Sequence, residues 1–235
     1  MQGEGRRGVA IVTAMGVESL GLSRALQTGA WHRRSRRGWR EGLLGTCPVV
    51  LATCGIGERA AGRFAGMLLE EYEPRLVVLT GASGGVAPYV RVGDLVVGES
   101  VCRVHGVEVT ERFPTDPELL DLVAEAAAMA RFRPIGPRLP RVVAANVGTV
   151  DHFIRHRQLA EQLARDHGIL AMEMEAAAIA EACRGWSVPF LTVRAITDVI
   201  GGRWQWLPKV LNYARVQRNA EWLVYALVQR LSEES

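Results

Sequence analysis

Glu173, Glu175 and Asp198 are the residues of this chain best suited to do chemistry, because they bracket a stretch that is otherwise small and apolar. Carboxylates can give up a proton, take one, accept hydrogen bonds from hydroxyls, or face a developing positive charge. Each has an ordinary explanation by itself. A glutamate at a helix start is common capping, and an aspartate after a strand is common turn chemistry. Three acids around one apolar unit are harder to dismiss, since burial of uncompensated charge is expensive.

The elements that must position them can be read on either side. Ala176 to Ala182 is almost all small or apolar, which predicts a buried helix running through the middle of the domain and stopped by Gly185. Glu173 and Glu175 fall at its start, where the helix dipole favours the ionised form. Val188 to Ile196 is short, apolar and β-rich, bounded by Pro189, and reads as an interior strand. Asp198 then lies just past the strand's carboxyl end, the edge at which open α/β sheets bind ligands. A fourth acid shares that edge. Val9 to Ala14 reads as a first strand and Ser19 to Leu26 has helical spacing, so Glu18 sits at the strand-to-helix junction. Taken alone, Glu18 is a helix-start carboxylate.

The rest of the chain alternates in the same way. Leu43 to Thr53 suggests a hairpin-like pair of short strands, and Gly55-Ile56-Gly57 opens a helix running to about Glu71. These glycines are half of a dinucleotide fingerprint, without a clear acidic partner, and are read as a tight turn beside a ligand pocket. Arg75 to Thr80 is a buried strand leading into Gly81-Ala82-Ser83-Gly84-Gly85, read as a loop with positive φ that brings bare backbone and amide donors near a ligand. Val92 to Val101 continues the sheet, Pro117 to Met129 is an amphipathic helix, and Arg131 to Pro140 is a proline-rich loop. Val142 to Val147 is a strand, Gly148 to Ile154 a strand-end loop, and Gln158 to Asp166 a surface helix. A long helix with Val210, Val216, Leu223, Leu227 and Leu231 on its apolar side closes the chain. The alternation predicts one α/β domain, a three-layer α/β/α sandwich on a central mixed sheet, over residues 8–235 after a flexible 1–7.

Composition narrows the function classes. A hydrophobic content of 49% and a charged content of 23% are those of a globular protein, and a formal net charge of +3 is too small to imply a nucleic-acid partner. The basic run Trp31 to Arg40 is read as a solvated, mobile connection in preference to an RNA- or phosphate-binding patch. No apolar run approaches membrane-spanning length and no signal region follows the first residues, so a cytoplasmic protein without a membrane partner is expected. Cys47, Cys54, Cys102 and Cys183 lack CxxC spacing and are expected to be core thiols. His152 and His156 have ligand spacing but no third partner, so no metal is expected.

Several motifs, in order, resemble the nucleoside phosphorylase/nucleosidase superfamily. They are Ala-Met-Gly-Val-Glu at 14–18, Gly-Ile-Gly at 55–57, Thr-Gly-Ala-Ser-Gly-Gly at 80–85, Val-Gly-Asp-Leu-Val at 92–96, Asp-His-Phe-Ile at 151–154, Glu-Met-Glu-Ala at 173–176 and Val-Arg-Ala-Ile-Thr-Asp at 193–198. The set is most similar to methylthioadenosine/S-adenosylhomocysteine nucleosidases. The resemblance implies hydrolysis of the N-glycosidic bond of an adenine nucleoside, without cofactor or metal, by a homodimer. It makes Asp198 the general acid that protonates adenine N7 and Glu18 the base for the attacking water. Glu175 would accept the ribose hydroxyls, with Met174 and Glu173 lining the sugar. Phe153 and Ile154 would frame the base, Arg194 would hold the carboxylates, and Ala82 and Gly84 would lie in the glycine segment of the site.

Three departures bear on the 5′ substituent more than on the reaction. Ala82 stands where the nucleosidases typically carry serine, His105 to Thr115 is shorter than in the family, and Arg203 to Leu207 is rich in tryptophan. Two other readings stay open: a phosphorylase of the same fold, and a non-catalytic nucleoside-binding module. The first lacks its Gly-Asp-x-x-Arg-like loop here, and the second leaves the acids at 18, 175 and 198 unexplained.

Overall fold

A computed structural model describes residues 7–27, 31–34, 37–152, 154, 156–200 and 207–233. Strand β1 (Arg7–Thr13) leads through a 3₁₀ turn (Gly16–Ser19) into helix α1 (Leu20–Ala25). Strands β2 (Trp31–Arg34), β3 (Arg37–Leu44) and β4 (Cys47–Thr53) follow, then helix α2 (Glu58–Tyr72) and the long strand β5 (Pro74–Gly85). Strands β6 (Leu95–His105) and β7 (Glu108–Pro114) form a hairpin before helix α3 (Pro117–Met129), whose N-cap Asp116 accepts from the Glu118 N–H at 3.0 Å. Strand β8 (Val142–Thr149), helix α4 (Arg157–His167), strand β9 (Ile169–Glu173) and helix α5 (Ala176–Gly185) come next. Strand β10 (Phe190–Val199) and helix α6 (Leu207–Glu233) end the chain.

The expected α/β fold with a central mixed sheet is the one observed. The strands order as β10-β6-β8-β9-β5-β1-β4-β3-β2, with β7 on β6, and β10 also pairs with β5. That extra pairing closes β5, β10, β6, β8 and β9 into a ring at one end of the sheet. Alternation along the strands sorts the core between two faces. Val9, Ile11, Val78 and Val193 pack with Val123 of α3 and Val216, Leu223 and Leu227 of α6. Ala10, Val12, Val77 and Leu79 pack with Phe64 and Leu68 of α2 and Ala177 and Ile179 of α5. Helices therefore cover both faces, which makes the three layers.

Five expectations need correction. The basic run is a strand hairpin rather than a mobile connection: β2 and β3 pair antiparallel from Trp31–Arg40 to Arg34–Arg37, and buried Trp39 packs edge-on to Phe64 at 6.3 Å. The glycine segment 81–85 is extended strand, because β5 continues through it paired with β10 and β9. Its glycines have no positive φ; positive values occur elsewhere, as at Gly55 and Gly57. Asp198 lies inside β10, since those same glycines let the ladder run on to Val199–Gly85. Glu173 ends a strand, β9, rather than starting the helix, and only Glu175 is the N-cap. Helix α5 buries Ala176, Ala177, Ile179, Ala180 and Cys183 but exposes Glu181 and Arg184, so it covers one face instead of crossing the interior.

Candidate active site

The site is built where β1, β5, β9 and β10 end. Parallel pairing of β1 and β10 with β5 brings all three carboxyl ends to one edge. Glu18 leaves β1 on the 3₁₀ turn, where its Oε2 accepts from the Met15 N–H at 2.9 Å. Its Oε1 accepts from the Ala82 N–H at 2.9 Å and from the Tyr213 hydroxyl at 3.1 Å. Glu18 is buried, yet every one of those contacts is a donor aimed at a carboxylate.

Facing it across β5 is a buried triad. The Arg194 guanidinium, 0% exposed, pairs through Nη2 with Glu173 and lies 3.6 Å from Glu175 Oε2. Glu173 also accepts from the Glu175 and Ala176 N–H groups at 2.9 and 2.8 Å, completing the start of α5, and from the Thr149 hydroxyl. Glu175 Oε1 accepts from the Gly57 N–H at 3.0 Å. Burial first, and the charge of Glu173 next, push the Glu175 carboxyl up to about 7, against the opposing pull of Arg194 and the Gly57 N–H. Nε and Nη1 of Arg194 are buried without a hydrogen-bond partner among the described residues. Nη1 lies 3.0 Å, and Glu18 Oε1 2.8 Å, from the point where a Cβ on Gly81 would stand. Glycine is needed there for close approach, because any side chain would fill the space the two charged groups share.

Asp198 is placed by a β-bulge. Arg194, Ala195 and Ile196 pair with Gly81, Ala82 and Ser83, Thr197 is extra, and Asp198 meets Gly84. Its Oδ1 accepts from the Thr197 hydroxyl at 3.2 Å, and Oδ2 lies 3.9 Å from where a Gly84 Cβ would stand. Gly81 and Gly84 are three residues apart on β5, about 10 Å along the strand, so Glu18 and Asp198 each approach β5 at a different glycine. Met174 is half-buried between the two glutamates, and Ile154 is half-buried against the cluster that contains Met172 and Ile200. Phe153 and residues 203–206 lie outside the described residues.

The structure thus brings together Glu18, Ala82, Glu173, Glu175 and Arg194, with Gly84 and Asp198 further along the same strand ends. Ala82 contributes its backbone, and Ser83 turns its hydroxyl away to the Met172 carbonyl at 2.7 Å, so neither supplies a serine hydroxyl to the site. Sequence reasoning missed Thr149, Gly81 as a contact residue, Tyr213 and Gln217. Gly57 was placed near a pocket by its motif, but its N–H bond to Glu175 was not foreseen. Tyr213 carried no readable signal, being 195 positions from Glu18. The neighbouring Cys54 is no nucleophile: burial first, and the charge of Glu175 next, push its thiol up to about 12. Among the described residues, no three histidine, cysteine or carboxylate groups cluster as metal ligands would.

Comparison with known proteins gives a consistent picture. The family model described as "Phosphorylase superfamily" matches residues 8–229. The 5′-methylthioadenosine/S-adenosylhomocysteine nucleosidase of Anoxybacillus flavithermus is 31% identical over 208 residues, covering 82% of this chain and 86% of that protein. A solved nucleosidase of that name from Colwellia psychrerythraea, in complex with adenine, superposes with a TM-score of 0.84 at 23% identity, over 96% of each chain. The corresponding enzyme from Neisseria meningitidis, in complex with methylthio-immucillin-A, gives 0.80 at 23% identity over 94% of this chain and 98% of the other. At those identities the two structures speak for the fold.

Proposed function

The chain belongs to the phosphorylase superfamily, and on that ground we propose that it hydrolyses the N-glycosidic bond of an adenine nucleoside carrying a 5′ substituent. The observation that carries the reading is the pairing of a donor-held carboxylate, Glu18, with a buried Glu173–Glu175–Arg194 triad across Gly81, with Asp198 opposite Gly84 on the same strand β5. The nucleosidase relatives point to the same substrate class.

In this reading the C1′–N9 bond breaks as Asp198 passes its proton to adenine N7, so the base leaves neutral. The sugar becomes oxocarbenium-like, and carboxylates near the ring stabilise that charge. Glu175 accepts the ribose hydroxyls, beside Met174 and Glu173, and Arg194 fixes the acids. Water attacks C1′ while Glu18 takes its proton. Ile154 and Phe153 border the base. Methylthio and homocysteinyl groups are the 5′ substituents that the relatives' names point to. A homodimer and a cytoplasmic location belong to this proposal as well. Among the described residues no helix is long and apolar enough to cross a membrane.

The phosphorylase alternative differs in its nucleophile. Phosphate arrives anionic and needs cationic or amide donors, whereas Glu18 offers a carboxylate. Incubating 5′-methylthioadenosine and related nucleosides in phosphate-free buffer should release adenine and free sugar at full rate. Glu18→Gln should then cost about 10²- to 10⁴-fold in kcat and Asp198→Asn about 10²-fold or more, with the fold retained. A strict phosphate requirement with sugar 1-phosphate as product, or a fully active Glu18→Gln enzyme, would overturn the hydrolase reading.

A further inference from the structure

We propose that Tyr213 and Gln217, on helix α6, are positioning residues that hold the base Glu18 in its working orientation, an inference that rests on the hydrolase reading above. The two are four residues apart, one helical turn, and so project from the same side of α6. Tyr213 donates its hydroxyl to Glu18 Oε1 at 3.1 Å, and Gln217 donates its amide N–H to the Glu18 backbone carbonyl at 2.8 Å. Glu18 is thus gripped at side chain and backbone by one element from the far end of the chain. Gln217 is 2% exposed, and Asn219 and Glu221, on the following turn, are also buried polar groups. Glu221 accepts from the Gly21 N–H at 2.6 Å, tying the start of α1 to the same helix. Two polar contacts from a helix that also packs on the core thus converge on the single residue Glu18.

The chemistry explains why the anchors matter. A carboxylate that must take a proton from water attacking C1′ has to present one oxygen along a fixed line, and a misplacement of about 1 Å can cost 10²-fold in rate. The Ala82 N–H fixes Oε1 from the sheet side, and the Tyr213 hydroxyl fixes it from the helix side. The charged groups facing this carboxylate are Arg194 across Gly81 and, behind the arginine, Glu173 and Glu175. None of these can replace a neutral hydroxyl donor on the α6 side. The phenol of Tyr213 is kept protonated by burial and by the Glu18 charge, so it remains a donor at working pH.

The test is a double-mutant cycle on the full chain with 5′-methylthioadenosine as substrate. Tyr213→Phe should lower kcat about 5- to 50-fold with KM within about 2-fold. In the Glu18→Gln background the same change should have almost no further effect, because its only route to the reaction is gone. Replacement of Tyr213 by 4-aminophenylalanine, which keeps a donor, should recover most of the rate, while the shape-matched 4-methylphenylalanine should not; this pair also serves if the Phe variant does not fold. Equal kcat in Tyr213→Phe and wild type, or an equal loss in both backgrounds, would overturn the proposal. A wild-type protein without any base release would instead overturn the hydrolase reading, which keeps the two failures distinct.

Discussion

Glu175 concentrates most of the electrostatics of the site. Its carboxyl is buried beside Glu173, and Arg194 and the Gly57 N–H only partly offset that burial, leaving it at about 7 against an ordinary 4.5. A folded-state value above the unfolded one means the native protein holds an extra proton between these limits, so Glu175 contributes stability below about 4.5 that is lost as pH rises towards 7. Glu175→Gln removes that dependence. Urea midpoints measured from pH 4.5 to pH 8 should therefore fall more steeply for the wild type than for the variant, by up to about 3 kcal/mol over the window. Parallel curves would mean that the charge of Glu175 is fully compensated in the folded state. The same variant should bind ribose hydroxyls less well, because an amide offers one acceptor where a carboxylate offers two.

Among the elements, β5 matters most to the site, because it passes close beneath two charged groups. Gly81 is the point of closest approach, with Glu18 Oε1 and Arg194 Nη1 within 3.0 Å of where a methyl group would stand. Gly81→Ala needs neither a new backbone conformation nor a lost hydrogen bond, because Gly81 lies in ordinary strand. Its cost should fall on the site: Glu18 or Arg194 must move, and kcat/KM should drop about 10²-fold while Tm changes by only a few degrees. Near-normal activity in this variant would show that the two groups have room to spare. The β-bulge at Thr197 is the other such device, since it sets which residue of β10 meets Gly84.

At the scale of the whole molecule, a different buried acid, Asp94, ties the start of β6 to the proline-rich loop. It lies beside the carboxyl-end half of β10, where its backbone carbonyl accepts from the Ile196 N–H at 2.9 Å. Asp94 is 1% exposed and receives Arg138 Nη1 at 2.9 Å, Arg141 Nη2 at 2.5 Å and the Arg91 N–H at 3.0 Å. Burial alone would raise its carboxyl, but the donors, Arg141 first, outweigh burial and hold it below 3.8. Its stabilising contribution is therefore present above that value and fades as pH falls below it. Asp94→Ala strands two arginines and opens the turn between the proline-rich loop and β6. It should cost about 2–3 kcal/mol, or roughly 5–10 °C in Tm, with kcat unchanged in the folded fraction. A Tm within about 1 °C of wild type would show that the arginines are content in solvent.

The alternation of strands and helices, the bounds of α3, the core thiols and the family-like motifs that single out Glu18, Glu175 and Asp198 were all legible along the chain. These are local matters: periodicity, capping and short motifs act within a few residues, so they are written in order in the sequence. It took the folded chain to show that the glycine segment is strand, that β9 precedes Glu175, and that Asp198 stands on a bulge inside β10. In each case pairing with a distant strand satisfies the backbone, whereas a local reading assigns the same residues to a turn, a strand end or a helix start. The basic run became β2 and β3 for the same reason, with Trp39 anchored on Phe64 of another element. The contacts of Glu18 with Ala82, Tyr213 and Gln217 span 64, 195 and 199 positions. No pattern along the chain encodes them, because what places a hydroxyl beside a carboxylate is the packing of α6 across the sheet.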